Sequence, residues 1–63
     1  MKVGSKVKIL RDLDGIHCEG CEGIVTSISK VSDVIFLIEV KFISNKNKEE
    51  TCKFFKHELE VLK

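Results

Sequence analysis

The sequence lacks tryptophan and tyrosine, and all four of its aromatic residues are phenylalanine. Grooves that bind proline-rich peptides and cages that bind methylated lysine are lined by tyrosine and tryptophan side chains. The composition therefore argues against both of these ligand classes.

Long apolar runs are also missing, since the longest covers only residues 34–38, whereas a membrane-spanning helix needs about 20 apolar residues. No apolar segment follows Met1, so we predict no signal peptide. The three cysteines are an odd number, which favours reduced thiols over a paired disulfide framework. These features predict a cytoplasmic protein that makes no membrane contact.

The length of 63 residues, with 43% hydrophobic and 33% charged side chains, fits one domain covering residues 1–63. A domain of this size buries only about 60% of the surface that its unfolded chain exposes, so we expect marginal stability. The formal net charge is +1, which argues against a chain devoted to sequence-independent phosphate binding.

Proline is absent, and apolar residues recur with a period of two, the spacing of one sheet face. The clearest run predicts five side chains on the same face: Val34, Phe36, Ile38, Val40 and Phe42. The whole pattern predicts strands at residues 6–10, 23–30, 34–42, 51–54 and 59–62. A polar hairpin loop is expected at residues 44–49, with asparagines suited to left-handed backbone. Residues 56–58 should form a short break, which could be one 3-10 turn.

Five short strands favour an all-β fold that closes into a small barrel, because closure removes exposed sheet edges. The first strand, the later Gly20-Cys21-Glu22-Gly23-Ile24-Val25 and the third strand together resemble the KOW motif of SH3-like barrels. The closing segment Glu58–Leu62 resembles the final strand of small SH3-like domains. That resemblance implies a five-stranded SH3-like barrel that works with nucleic acid, a ribosome or a transcription complex.

The segment HCEGCEG, residues 17–23, admits a backbone interpretation and a metal interpretation. Gly20 and Gly23 suit the positive φ needed where a long loop turns into a strand. A zinc staple would use the Cys-x-x-Cys pair with further ligands, and its candidates are His17, Cys18, Cys21 and Cys52. A second ligand pair is missing, and dithiol chemistry is disfavoured because a β-branched strand follows Cys21. We therefore prefer the backbone interpretation and expect no cofactor.

No grouping of serine, histidine and carboxylate residues suggests catalysis, and a small barrel offers no deep cleft. We therefore expect a non-catalytic binding module. Lysines with a neighbouring exposed phenylalanine could hold a phosphate backbone and stack a base. The candidate nucleic-acid-binding residues are Lys6, Lys8, Lys41, Lys46, Lys48, Lys53, Phe55 and Lys56. The alternative is that these lysines only form a solvated face and guard strand edges.

A protein-interaction or regulatory role is the alternative function. Ile35 and Leu37 point away from the predicted core and could form an apolar patch. Residues 12–22 carry four acids and no base, and Glu19 and Glu22 in this loop are further candidates for partner contact. The acids also replace the basic residues that KOW relatives often carry there. The partner would then be a protein of a nucleic-acid-handling complex, with the chain acting as a monomer or weak homodimer.

Overall fold

The computed structural model describes residues 1–62 and contains one antiparallel sheet. The five strands are β1 (Lys6–Ile9), β2 (Glu22–Lys30), β3 (Phe36–Ile43), β4 (Glu49–Phe55) and β5 (Leu59–Val61). A 3-10 turn, Lys56–Glu58, joins β4 to β5. The predicted all-β class, the five strands and the turn before the last strand are confirmed. Lys63, the end of the predicted domain, lies outside the described residues.

The sheet is open, so the prediction of hydrogen-bonded closure into a barrel is wrong. The strand order is β4-β3-β2-β1-β5, and the edge strands β4 and β5 form no ladder with each other within residues 1–62. Alternation along a strand specifies which face is buried, but it does not specify whether the first and last strands of a sheet meet. The core is covered instead by the β1–β2 loop, whose Leu13 and Ile16 pack against it.

The core lies on one face of the sheet and includes Ile38, Val40 and Phe42 of β3, as the alternation predicts. Phe42 and Phe54 meet edge to face, with ring centroids 6.1 Å apart. Burial of aromatic and branched side chains is the main favourable term in folding, so these residues hold the sheet together. The buried core residues are Val7, Ile9, Cys18, Val25, Ile38, Val40, Phe42, Phe54 and Leu59.

Val34 does not belong to the core, contrary to the prediction, and its surface is 85% exposed. The chain between β2 and β3 is a turn in which Val31 N–H and Ser32 N–H donate to the Ile35 carbonyl oxygen. Val34 lies inside this turn, before β3 begins at Phe36. Phe36 shares the core-facing side of β3 but lies at the start of the strand and is 38% exposed.

Two turns show why the predicted residue types are needed. Gly20 has a φ of +86°, as predicted, and Asn47 has a φ of +61° in the hairpin between β3 and β4.

Gly23 has no positive φ, so that part of the prediction is wrong. A Cβ atom at Gly23 would lie 2.6 Å from the Lys41 carbonyl oxygen and 2.6 Å from Val40 Cγ1. Close approach of β2 to β3 is therefore the reason for glycine at this position.

Candidate nucleic-acid interface

The outer face of the sheet, opposite the core, carries alternating lysines and glutamates. Lys6 Nζ lies 3.4 Å from Glu22 Oε1 across β1 and β2, and Lys41 Nζ lies 3.3 Å from Glu49 Oε1 across β3 and β4. Lys48 contacts Glu50 more loosely, at 4.0 Å. These exposed pairs contribute little stability, but they offset the positive charge of the three lysines.

Lys8 and Lys46 make no ion pair within residues 1–62, but they lie on separate elements, a strand and a hairpin. Lys8 on β1 is opposite Glu22 on one side and Glu60 on the other in the strand register. Lys46 is exposed in the hairpin between β3 and β4. The eight residues predicted to bind nucleic acid therefore do not form one continuous basic surface.

Lys53 differs from Lys6 and Lys41, because the carboxylate of the acidic residue opposite it is hydrogen-bonded elsewhere and forms no ion pair with it. Lys53 on β4 pairs in register with Glu39 on β3. Glu39 Oε1 instead accepts a hydrogen bond of 2.9 Å from Thr26 Oγ1, at the β-bulge in β2. Lys53 makes no ion pair within the described chain, and the same is true of Lys56 in the 3-10 turn. Their positive charges remain available to a ligand.

Adjacent to these lysines along the chain, the rings of Phe55 and His57 stack on each other. Their centroids are 5.9 Å apart and their planes differ by only 6°. Phe55 is 45% exposed and His57 is also exposed, so the pair presents aromatic surface to solvent. Aromatic faces of this kind accept stacked nucleobases. We call Lys53, Phe55, Lys56 and His57 the aromatic–lysine patch.

A buried carboxylate holds the aromatic–lysine patch in place. Glu58, whose surface is only 7% exposed, accepts a hydrogen bond of 2.8 Å from Phe55 N–H. Its second carboxylate oxygen lies 2.9 Å from Arg11 Nη1 in the β1–β2 loop. Because hydrogen bonds to a charged group inside a protein are comparatively strong, they fix the end of β4 and the 3-10 turn.

His57 was not predicted as a partner of Phe55, because their stacking depends on the 3-10 turn Lys56–Glu58, in which His57 lies. The spacing of two residues was no signal for this contact, because it places side chains on one side only in an extended chain, and His57 lies in the 3-10 turn. Phe55 itself was correctly expected to face outward.

Cys18, Cys21 and His17 belong to the loop between β1 and β2, whereas Cys52 lies on β4. Cys18 is buried, and its thiol donates to the Arg11 carbonyl oxygen at 3.3 Å. Cys21 Sγ lies 3.5 Å from Asn45 Oδ1, and Cys52 packs against the core from β4. Burial raises the pKa of both the Cys18 and the Cys52 thiols.

Asp12 braces the same loop. Its Oδ1 accepts hydrogen bonds from Glu19 N–H at 2.8 Å and Cys18 N–H at 2.9 Å. These bonds stabilise the ionised form and lower the pKa of the Asp12 carboxyl group. His17 Nδ1 is 3.9 Å from Asp12 Oδ2. In residues 1–62 no three His, Cys, Asp or Glu side chains converge as metal ligands would, and the contacts of the segment are those of a folded loop.

The residues proposed for partner binding lie at opposite ends of the sheet. Leu37 is half-buried opposite Phe55, and Ile35 is exposed in the β2–β3 turn. Glu22 begins β2 at the far end, and Glu19 lies in the preceding loop. A single partner surface combining all four is therefore not present within the described residues.

An apolar slot on the outer face was not anticipated. Ile24 and Ile43 line it and are 44% and 51% exposed, and its volume is about 290 Å³. The Lys6–Glu22 and Lys41–Glu49 ion pairs border it. An isoleucine at an outward position of an alternating strand is the sequence signal that could have indicated this slot.

No protein-family model, curated protein or solved structure matches the chain. Residues 1–62 contain no helix of the length and apolarity needed to cross a membrane. The geometry of the aromatic–lysine patch and of the apolar slot therefore provides the basis for the functional proposals.

Proposed function

We propose that this protein is a non-catalytic binding module that associates with single-stranded nucleic acid through the aromatic–lysine patch. The observation that carries the proposal is the exposed, parallel pair of Phe55 and His57 beside lysines with no acidic partner in the described chain. Lysines bind phosphates without regard to sequence, and aromatic rings stack on any base. The ligand class is therefore RNA or single-stranded DNA without strong sequence preference.

The KOW-like resemblance supports the same proposal. The single antiparallel sheet, in which β5 returns to pair with β1, and the 3-10 turn before the last strand are compatible with the SH3-like arrangement that the resemblance implies. The patch lies at the β4–β5 junction and not in the acidic β1–β2 loop. The proposed contact thus avoids the loop in which the acids replace the basic residues expected of KOW relatives.

The decisive experiment compares two double substitutions that remove the same amount of charge. Lys53→Ala with Lys56→Ala removes the unpaired lysines of the patch, whereas Lys6→Ala with Lys41→Ala removes two ion-paired lysines. Fluorescence anisotropy with a labelled oligouridine and an oligothymidine should show binding in low salt. The patch variant should bind more weakly than the unchanged protein, and its salt slope should be smaller by about 1.4, as expected for the loss of two phosphate contacts to a single strand.

Phe55→Leu tests the stacking contribution separately, because leucine retains an apolar side chain opposite Leu37. Loss of a stacked base should weaken binding by about 1–3 kcal/mol. Equal effects of the two lysine pairs, or no binding by the unchanged protein at low salt, would refute the proposed function.

A second candidate function, protein interaction, is favoured by the apolar slot. The slot has two exposed isoleucines and is bordered by two lysine–glutamate ion pairs, whose charges compensate each other. Such a surface suits an uncharged apolar side chain of a protein partner better than a phosphate group. Ile43→Asp should then abolish capture of a cellular protein, while Leu10→Asp, at another exposed apolar residue, should leave it intact. Identical captured proteins from both variants would exclude this role for the slot.

A further inference from the structure

Strand β4 leaves one edge of the sheet open. It is seven residues long, contains no proline and pairs with β3 without a register shift. The opposite edge is the three-residue strand β5. A regular edge strand of this length presents backbone groups that another strand can pair with, unless it is protected.

The hydrogen-bond pattern identifies which backbone groups face outward. Ser44 N–H donates to the Lys48 carbonyl oxygen at 2.8 Å, so residue 48 faces β3. Because facing alternates along an antiparallel pair, Glu49, Thr51, Lys53 and Phe55 point their N–H and C=O groups away from β3. Phe55 N–H follows this rule, since it bonds to Glu58 instead. Three residues therefore remain with both their N–H and their C=O group outward: Glu49, Thr51 and Lys53.

We infer that β4 pairs with β4 of a second copy of this chain, antiparallel, with Thr51 on the two-fold axis. In this register Thr51 faces the partner subunit's Thr51, and Glu49 faces the partner subunit's Lys53. Each facing pair exchanges both N–H···O bonds, so the outward groups of all three residues are used. The two opposite-charge pairs lie directly across the new ladder, where such pairs are stabilising, and Glu49 faces the new lysine in addition to Lys41 of its own chain, 3.3 Å away. Lys53 also belongs to the aromatic–lysine patch, so dimer formation and nucleic-acid binding compete for its charge.

The neighbouring registers fit less well. Moving the axis to Cys52 places Glu49 opposite the partner subunit's Phe55, whose N–H is already bonded to Glu58. Moving the axis to Glu50 requires pairing with Asn47, which has a φ of +61° in the hairpin turn and cannot continue a strand. The charge pattern also indicates why the partner is a second copy of this chain. A lysine on an edge strand opposes pairing with most other strands, but in this register Lys53 faces the partner subunit's Glu49.

Charge reversal tests both the partner and the register. Glu49→Lys alone places like charges at both facing pairs, and so does Lys53→Glu alone. Each variant should dimerise about tenfold more weakly than the unchanged protein, or worse, in low salt. An equimolar mixture of the two variants restores both opposite-charge pairs and should form a heterodimer. Sedimentation velocity without nucleic acid measures all four samples, namely the unchanged protein, the two variants and their mixture, so the result is independent of the proposed function.

Thr51→Pro tests the ladder itself. The lost N–H points away from β3, so the monomer should keep its fold, as proline is tolerated on an edge. The variant should be monomeric with an unchanged circular dichroism spectrum, while Thr51→Ala should still dimerise. The inference is overturned if the unchanged protein is monomeric at millimolar concentration, if Thr51→Pro folds and dimerises, or if the charge-reversed mixture forms no heterodimer.

Discussion

Gly23→Ala should be among the most damaging small substitutions in the chain. The added methyl group would lie 2.6 Å from the Lys41 carbonyl oxygen, 2.6 Å from Val40 Cγ1 and 2.9 Å from Phe42 Cβ. Two of these neighbours are a backbone oxygen and a Cβ atom, which move only if β3 itself moves. Overpacking of this kind costs about 1–3 kcal/mol, and we expect about 3 kcal/mol because the contacts are with a paired strand.

The loss is large for a chain of this size. Domains have a stability of about 0.05–0.15 kcal/mol per residue, which corresponds to roughly 3–9 kcal/mol here. A loss of about 3 kcal/mol should lower Tm by about 12–24 °C. Because the chain has no tryptophan or tyrosine, urea and thermal unfolding are best followed by circular dichroism in the β-sheet region.

Gly20→Ala is the matched control for this substitution. Gly20 has a φ of +86°, but a Cβ atom there would meet no atom within 4 Å. Only the left-handed backbone opposes alanine, at a cost of about 1–2 kcal/mol. If Gly23→Ala is no more destabilising than Gly20→Ala, the explanation of Gly23 by close strand approach is wrong.

Three further predictions concern the loop and the 3-10 turn. Because the pKa of Asp12 is lowered in the folded protein, its ionised form stabilises the fold at pH values above the unfolded-state pKa of ~4. This contribution is lost as the pH falls through the lower folded-state pKa. Asp12→Asn should therefore reduce the fall of Tm on acidification, and an unchanged pH profile would contradict the hydrogen bonds assigned to it. Glu58→Ala should cost about 1–3 kcal/mol in urea unfolding, because Phe55 N–H loses its acceptor, whereas Glu60→Ala on exposed β5 should cost little. Under native conditions iodoacetamide should modify Cys21 before the buried Cys18, and peptide mass spectrometry showing the reverse order would contradict the burial.

The strands were predictable because alternation is a local property. The alternation of Ile38, Val40 and Phe42 specifies the buried face of β3 without reference to distant residues. Likewise, Asn47 adopts a left-handed backbone in the hairpin because of its own residue type. Val34 fits the same alternation but lies in a turn. An alternating pattern with a period of two residues does not indicate where a strand begins.

The features that the sequence did not reveal depend on register and on long-range contacts. Whether Lys6, Lys41 or Lys53 is neutralised depends on which residue faces it across the sheet and how that residue is bonded. Barrel closure depends on how far the sheet curls, and the burial of Cys18 depends on how the loop folds back. None of these follows from the neighbours of a residue along the chain.

The most direct test of the proposed function is an NMR titration of the isotopically labelled protein with oligouridine in low salt. The account predicts that amide shifts move in one contiguous group at residues 53–57, with the ring resonances of Phe55 and His57 shifted upfield by the stacked bases. Shift changes centred on Ile24 and Ile43 or on the β1–β2 loop, or a spectrum that does not change at all, would contradict it.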